Sequence, residues 1–327
     1  MVGVEPLAER SESVPDLLRK LLLAIVLLGV GPSGTALAQT TGQTNLWYEN
    51  WEEASAQAQE SSEPIYVYVW GYPRLSRREW ARAKQHNPCY RMSQSTLTNR
   101  QVNRMLRDYV LCALEVHVSA HRQFIHKHAP GLLPDADEEQ AGFSTYRLPF
   151  HLFFDSSGKK VFQVYGYIPA QWFVQTLEAV QLLIRGRGAE NDKLKQARAY
   201  ARLGHICLEL EIYEEAKKYL ERTLELDPDN KTGAKADAEL DLTIISIPDA
   251  PAKACRALES YLDDHPNSAR RTEVRYFLAV AQYLAGNRSG AIRILEQIAG
   301  IREPGSEQER RWIEHAIVLL QQLQAQQ

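Results

Sequence analysis

Cysteine is scarce in this chain, with four in 327 residues: Cys89, Cys112, Cys207 and Cys255. That excludes a small scaffold stapled by disulfides in place of a core. Four thiols admit three pairings if oxidised, but their wide spacing reads as buried free thiols. An overall excess of one charge is missing too. With 38 Lys and Arg against 41 Asp and Glu, the formal charge is −3, and the chain as a whole has no polybasic footprint for nucleic acid or an anionic membrane. The apolar run Leu21–Val30 is only ten residues long, well short of the ~20 that span a bilayer. No cysteine follows Ala38 to carry a lipid there. What remains, 44% apolar and 24% charged residues, is the composition of an ordinary globular protein.

That short apolar run has a use. Arg19 and Lys20 precede it, Gly31-Pro32-Ser33-Gly34 breaks it, and Ala36-Leu37-Ala38 supplies small residues after it. This layout predicts a cleavable secretory signal over residues 1–38, cut near Ala38–Gln39, and a periplasmic or secreted product. Glu5, Glu9, Glu12 and Asp16 are unusual in the region that should be basic, and point to a start further along, such as Val14. About 290 residues remain, enough for roughly two domains.

Residues 39–184 read as alternating strands and helices. Trp51–Ala58 is helix-forming; Ile65–Trp70 is a β-branched and aromatic strand ended by Gly71-Tyr72-Pro73. Asn87-Pro88 opens a helix, with asparagine as the cap and proline in the first turn. Tyr109–Val116, Phe150–Phe154 and Lys160–Tyr165 are further strands, and a closing helix runs from Ala170 to Leu183.

His86-Asn87-Pro88-Cys89-Tyr90-Arg91-Met92 has the layout of a thioredoxin active-site turn, with histidine in place of the first cysteine. Residues Trp47 to about Leu183 resemble the thioredoxin superfamily, in particular its exported members. Trp51–Ala54, Pro64-Ile65, the spacing from Cys89 through Met92 to Tyr109-Val110, Leu148-Pro149, Asp155-x-x-Gly158-Lys159 and Gly166-Tyr167 all fall in the family's order. The resemblance implies an α/β thioredoxin-like fold with Pro149 at the cis-proline position. It places Cys89 in the second, normally buried slot, and His86 in the first, where a helix terminus activates a thiol. The cycle of attack and resolution then cannot close within the motif. The sequence from about Arg74 to Gln85 is extra, because the family's turn follows its strand almost at once.

His117, His121, His126 and His128, with His86 and His151, form a histidine-rich set. Histidine with a thiolate suits copper or zinc, so His86, Cys89 and His151 make a weaker candidate for metal handling. The alternative places His121–His128 in a polar insertion spanning Ser119 to about Ser144. The sequence on balance predicts no bound metal and no cofactor.

After a linker (185–192) marked by Arg185-Gly-Arg-Gly188, residues 193–327 resemble tetratricopeptide (TPR) proteins. Tyr200, Leu203-Gly204, Ala216, Leu220 and Pro228 fit the first repeat. Ala254, Leu258, Tyr261 and Pro266 fit a second, and Ala291 with Leu295, after Gly286-Asn287, a third. Trp312 to about Leu323 then reads as a capping helix. About three repeats suffice to bury a continuous core. The resemblance implies an all-α repeat domain with a groove for protein or peptide partners.

Together these features predict an exported, chaperone-like interaction module. A redox-defective thioredoxin-like domain would bind through His86, Pro88, Leu148 and Pro149, beside the TPR groove. The alternative is a monothiol thiol-disulfide oxidoreductase acting through Cys89.

Overall fold

The structure, a computed structural model, describes residues 46–71, 77–130, 148–185 and 190–325. The expected signal peptide, linker residues 186–189 and the later part of the insertion, from 131 onward, lie outside the described residues. Two compact units emerge, one within Thr41–Asp241 and one within Leu242–Gln327.

The first unit is built around a five-stranded sheet. Its strands are β1 (Trp47–Tyr48), β2 (Ile65–Trp70), β3 (Val110–Glu115), β4 (Phe150–Phe154) and β5 (Lys160–Tyr165). They lie in the order β1-β3-β2-β4-β5. β1, β3 and β2 are parallel, whereas β4 and β5 pair antiparallel. β2 is apolar along its whole length because helices cover both faces of the sheet. Ile65, Val67 and Val69 join Val110, Cys112, Leu114, Phe150, Leu152 and Phe154 on one face. There they meet Ala54 and Ala58 of α1 (Trp51–Ser61), and Phe124 and Ile125 of the later helix α5 (Ser119–His128). The alternate positions, Tyr66, His151 and Phe153, meet Phe173 on the opposite face.

Local chemistry sets the helix starts. Asn50 precedes α1, and its side chain accepts from the Glu53 N–H at 3.1 Å. The extra sequence before the motif contains α2 (Arg77–Ala83) and a 3₁₀ turn (Lys84–His86). The motif helix α3 (Pro88–Arg91) passes through a π-type turn (Met92–Thr96) into α4 (Arg100–Leu106). α5 corrects the reading of a polar insertion from Ser119 to about Ser144 over its first ten residues, which form a helix that buries Phe124 and Ile125.

α6 (Ala170–Arg185) closes the sheet, and α7 (Glu190–Glu209) and α8 (Tyr213–Leu226) follow as an antiparallel pair in the same unit. Gly204 sits where α7 crosses α8, and a Cβ there would lie 2.6 Å from Leu220. The helices can approach this closely only because Gly204 has no side chain. β5 is an edge strand, and an unpaired edge invites aggregation. α8 covers it: the Tyr219 hydroxyl lies 3.4 Å from both the N–H and the C=O of Gln163. The Gln163 amide also donates to Glu215 at 2.7 Å.

α9 (Ala234–Ile245) leads into the second unit. That unit holds α10 (Pro251–Asp264), α11 (Arg271–Leu284), α12 (Arg288–Ala299) and α13 (Glu307–Ala325). Tyr276, Ala279, Ala291, Leu295, Ile298, Trp312, Ala316 and Leu319 form its core. Gly286, at φ +86°, makes the turn between α11 and α12, a conformation glycine adopts without strain. Among the described residues no helix is long and apolar enough to cross a membrane.

Candidate functional site

The motif turn is built by its own polar residues. Asn87 has extended backbone and its side chain accepts from the Tyr90 N–H at 2.9 Å, which fixes Pro88 in the first turn of α3. Cys89 points inward and is 1% exposed. The Tyr68 hydroxyl donates to the Cys89 carbonyl at 3.1 Å. Burial pushes the Cys89 thiol up to about 11, a shift that backbone hydrogen bonding at Gly71 and the Tyr68 hydroxyl only partly oppose. At neutral pH the thiolate fraction is on the order of one in ten thousand. His86 ends the 3₁₀ turn and is exposed, and Pro88 is half-buried.

Leu148 and Pro149 are buried where the chain enters β4, and the bond between them is cis. The Gly166 N–H donates to the Pro149 carbonyl at 2.8 Å. The Gly166 carbonyl in turn lies 3.0 Å from His151 Nε2. A carbonyl only accepts, so Nε2 carries the proton and Nδ1 accepts from the Tyr66 hydroxyl at 2.8 Å. Both imidazole nitrogens are therefore occupied inside the core. Burial drives His151 down to about 4, with the Gly166 carbonyl opposing.

A second set of contacts ties the motif helix to the loop after β5. The Arg91 guanidinium stacks on the Tyr167 ring at 3.8 Å. The Ser95 and Tyr167 hydroxyls are 3.2 Å apart, and Thr96 donates to the Ile168 carbonyl at 2.6 Å. Sequence reading missed Tyr66, Tyr68, Arg91 and Tyr167 as parts of this site. Only the alternation along β2 could have placed the two tyrosines on the face of the sheet opposite Val67.

The structure brings Cys89 and His151 both to Tyr68, whose hydroxyl donates to the Cys89 carbonyl and whose ring lies 5.8 Å from that of His151, while His86 stays at the surface. His151 could ligate a metal only by giving up a hydrogen bond, which weakens the His86, Cys89, His151 metal reading. The other histidines are dispersed. His117 and His126 are exposed. His121 accepts from the Glu115 N–H at 2.9 Å and reaches the Glu49 carbonyl at 2.9 Å. His128 stacks on Phe124 at 4.5 Å and is held low by burial first, then by Lys127 and Lys160. No three of these histidines, with or without Cys89, converge on a point where an ion could bind among the described residues. Cys112 and Cys207 are buried and Cys255 is half-buried.

A cavity of about 480 Å³ lies between β5 and α8. Lys160, Lys218 and Arg222 line it with Glu221 and Glu225. Arg222 already pairs with Glu225, and Lys218 with Glu215. The charges around it are balanced within the protein, so it makes no strong anion site.

No curated protein matches the chain. A family model, the tetratricopeptide repeat, matches residues 197–230, which take in most of α7 and all of α8. The helical region from α7 onward is of that type, and such a repeat supports a role in protein–protein interaction.

Proposed function

We propose that the protein is an exported, non-catalytic interaction module that joins a thioredoxin-like domain to tetratricopeptide repeats. The observation that carries the non-catalytic half is Cys89. The single cysteine of the motif is 1% exposed and its thiol is pushed up to about 11, while an exposed histidine occupies the slot of the attacking thiol. A thiolate is the nucleophile in disulfide exchange, and this turn offers almost none. The thioredoxin-like assignment is supported by the strand order β1-β3-β2-β4-β5 and by the cis bond before Pro149. The interaction half is supported by the repeat at 197–230.

In this reading His86, Pro88, Leu148 and Pro149 border a peptide-binding edge that outlives the lost chemistry, and the repeats add a groove for the same or a second partner. Export rests on the signal features before Gln39. The monothiol alternative needs Cys89 to be both reachable and acidic, and burial opposes both. The test is a disulfide-reduction assay on insulin with dithiothreitol as the electron source. The wild-type chain should turn over no faster than Cys89→Ser. Reductase activity that Cys89→Ser abolishes overturns the non-catalytic reading.

A further inference from the structure

The net charge of −3 conceals a segregation. Between Arg74 and Arg107 there are nine Lys and Arg and one acid, Glu79, so this stretch carries +8 and everything else carries −11. It surrounds the motif turn. Within it Arg82, Arg91, Arg100, Arg104 and Arg107 are exposed and Lys84 is half-buried. Arg100 and Arg104 lie on α4, whose Val102 and Leu106 are buried, and Arg107 follows at helical spacing as its C-cap. Arg91 lies on the motif helix itself. The next acid in the chain, Asp108, accepts from Gln181.

Two of these exposed or half-buried cations lie against aromatic rings, Arg91 on that of Tyr167 and Lys84 on that of Tyr90. None of the six has a carboxylate within ion-pair distance among the described residues. Like charges one helical turn apart, as at Arg100, Arg104 and Arg107, repel one another, and a partner of opposite sign relieves that repulsion.

We infer that the outer face of residues 82–107, beside the motif turn, is a docking surface for a carboxylate-rich segment of a partner protein. The inference rests on the proposed reading only in that the partner is a protein; it does not need the motif turn to bind peptide. Nucleic acid and anionic lipid share the required sign, but the chain as a whole carries −3, which disfavours a polyanion that extends beyond the patch. A short acidic peptide segment meets only the patch.

The probe is a fluorescein-labelled peptide of twelve glutamates, titrated with the full chain and read by anisotropy. Binding should weaken on the order of tenfold or more when salt rises from about 20 to 200 mM. It should weaken by a similar factor in the triple variant Arg100→Glu/Arg104→Glu/Arg107→Glu. A triple variant of equal charge change elsewhere, Lys217→Glu/Lys253→Glu/Arg256→Glu, should bind as the wild type does, and circular dichroism checks that both variants fold. The titration involves no thiol chemistry, so its outcome is read independently of the insulin assay. Equal losses in the two triple variants would reduce the effect to net charge and overturn the proposal. So would tighter binding to a single-stranded DNA 12-mer or to phosphatidylglycerol vesicles. Binding that emerges only after Asp135, Asp137, Glu138 and Glu139 are changed to Asn or Gln would make the chain's own acidic run the occupant, and would equally overturn it.

Discussion

Acidification should destabilise the sheet unit chiefly through His151, which is more deeply buried than His128, also held low. In the folded state the value for His151 is about 4, against 6.5 for an ordinary histidine. The unfolded chain therefore binds the proton more readily, and stability is fully present above about pH 6.5. It is lost as pH falls toward 4. From these two values the loss is about 2 kcal/mol between pH 7 and pH 5, and about 3 kcal/mol by pH 4. The cause is geometric: Nδ1 accepts from the Tyr66 hydroxyl, so a proton placed there has no acceptor in the core. His151→Gln removes the titration. It should cost about 1–3 kcal/mol at pH 7 by disturbing the hydrogen bonds to Tyr66 and Gly166. Its penalty relative to wild type should then shrink as pH falls. The assay is urea unfolding of the full chain at several pH values, with hydrogen exchange of β4 amides as the local readout. Parallel pH profiles for wild type and variant would refute the buried, neutral His151 assigned here.

Other consequences follow from packing. Gly204→Ala should destabilise the α7–α8 pair by about 1–3 kcal/mol, because its Cβ would lie 2.6 Å from Leu220; an unchanged urea midpoint would contradict the close crossing. In the second unit, His315 is buried, its Nδ1 has no hydrogen-bond partner among the described residues, and burial and Arg311 hold it down to about 4. His315→Phe should therefore leave stability at pH 7 within about 1 kcal/mol of wild type and reduce its loss at pH 5, as thermal unfolding at the two pH values would reveal. Export can be checked by mass: the protein recovered from the periplasm or medium should begin near Gln39.

Much of the sheet unit was legible because its signals are local. Ile65–Trp70 is β-branched and aromatic throughout, and Asn87-Pro88 carries its own capping chemistry. The helix pair at 197–230 was legible for a similar reason, since Gly204, Ala216 and Leu220 are spaced by the geometry of one crossing. The site was less so. His151 looked like one of a set of histidines, whereas its partners, Tyr66 and Gly166, are brought to it only by strand pairing across the sheet. α5 was hidden because its histidines and lysine mask an apolar face of only two buried residues, Phe124 and Ile125. The cationic stretch around the motif was present in the sequence but cancelled in the whole-chain sum.

The central claim is that Cys89 is a packing residue under a non-catalytic turn. It is tested most directly by the rate of iodoacetamide labelling at Cys89 as a function of pH in the native protein. Peptide mass spectrometry would locate the label, half-buried Cys255 would serve as the internal positive control, and Cys89→Ser as the blank. The account predicts that Cys255 labels while Cys89 stays unmodified until the chain is unfolded. Rapid native labelling of Cys89, with an apparent pKa below the free-cysteine value of ~8.5, would contradict it.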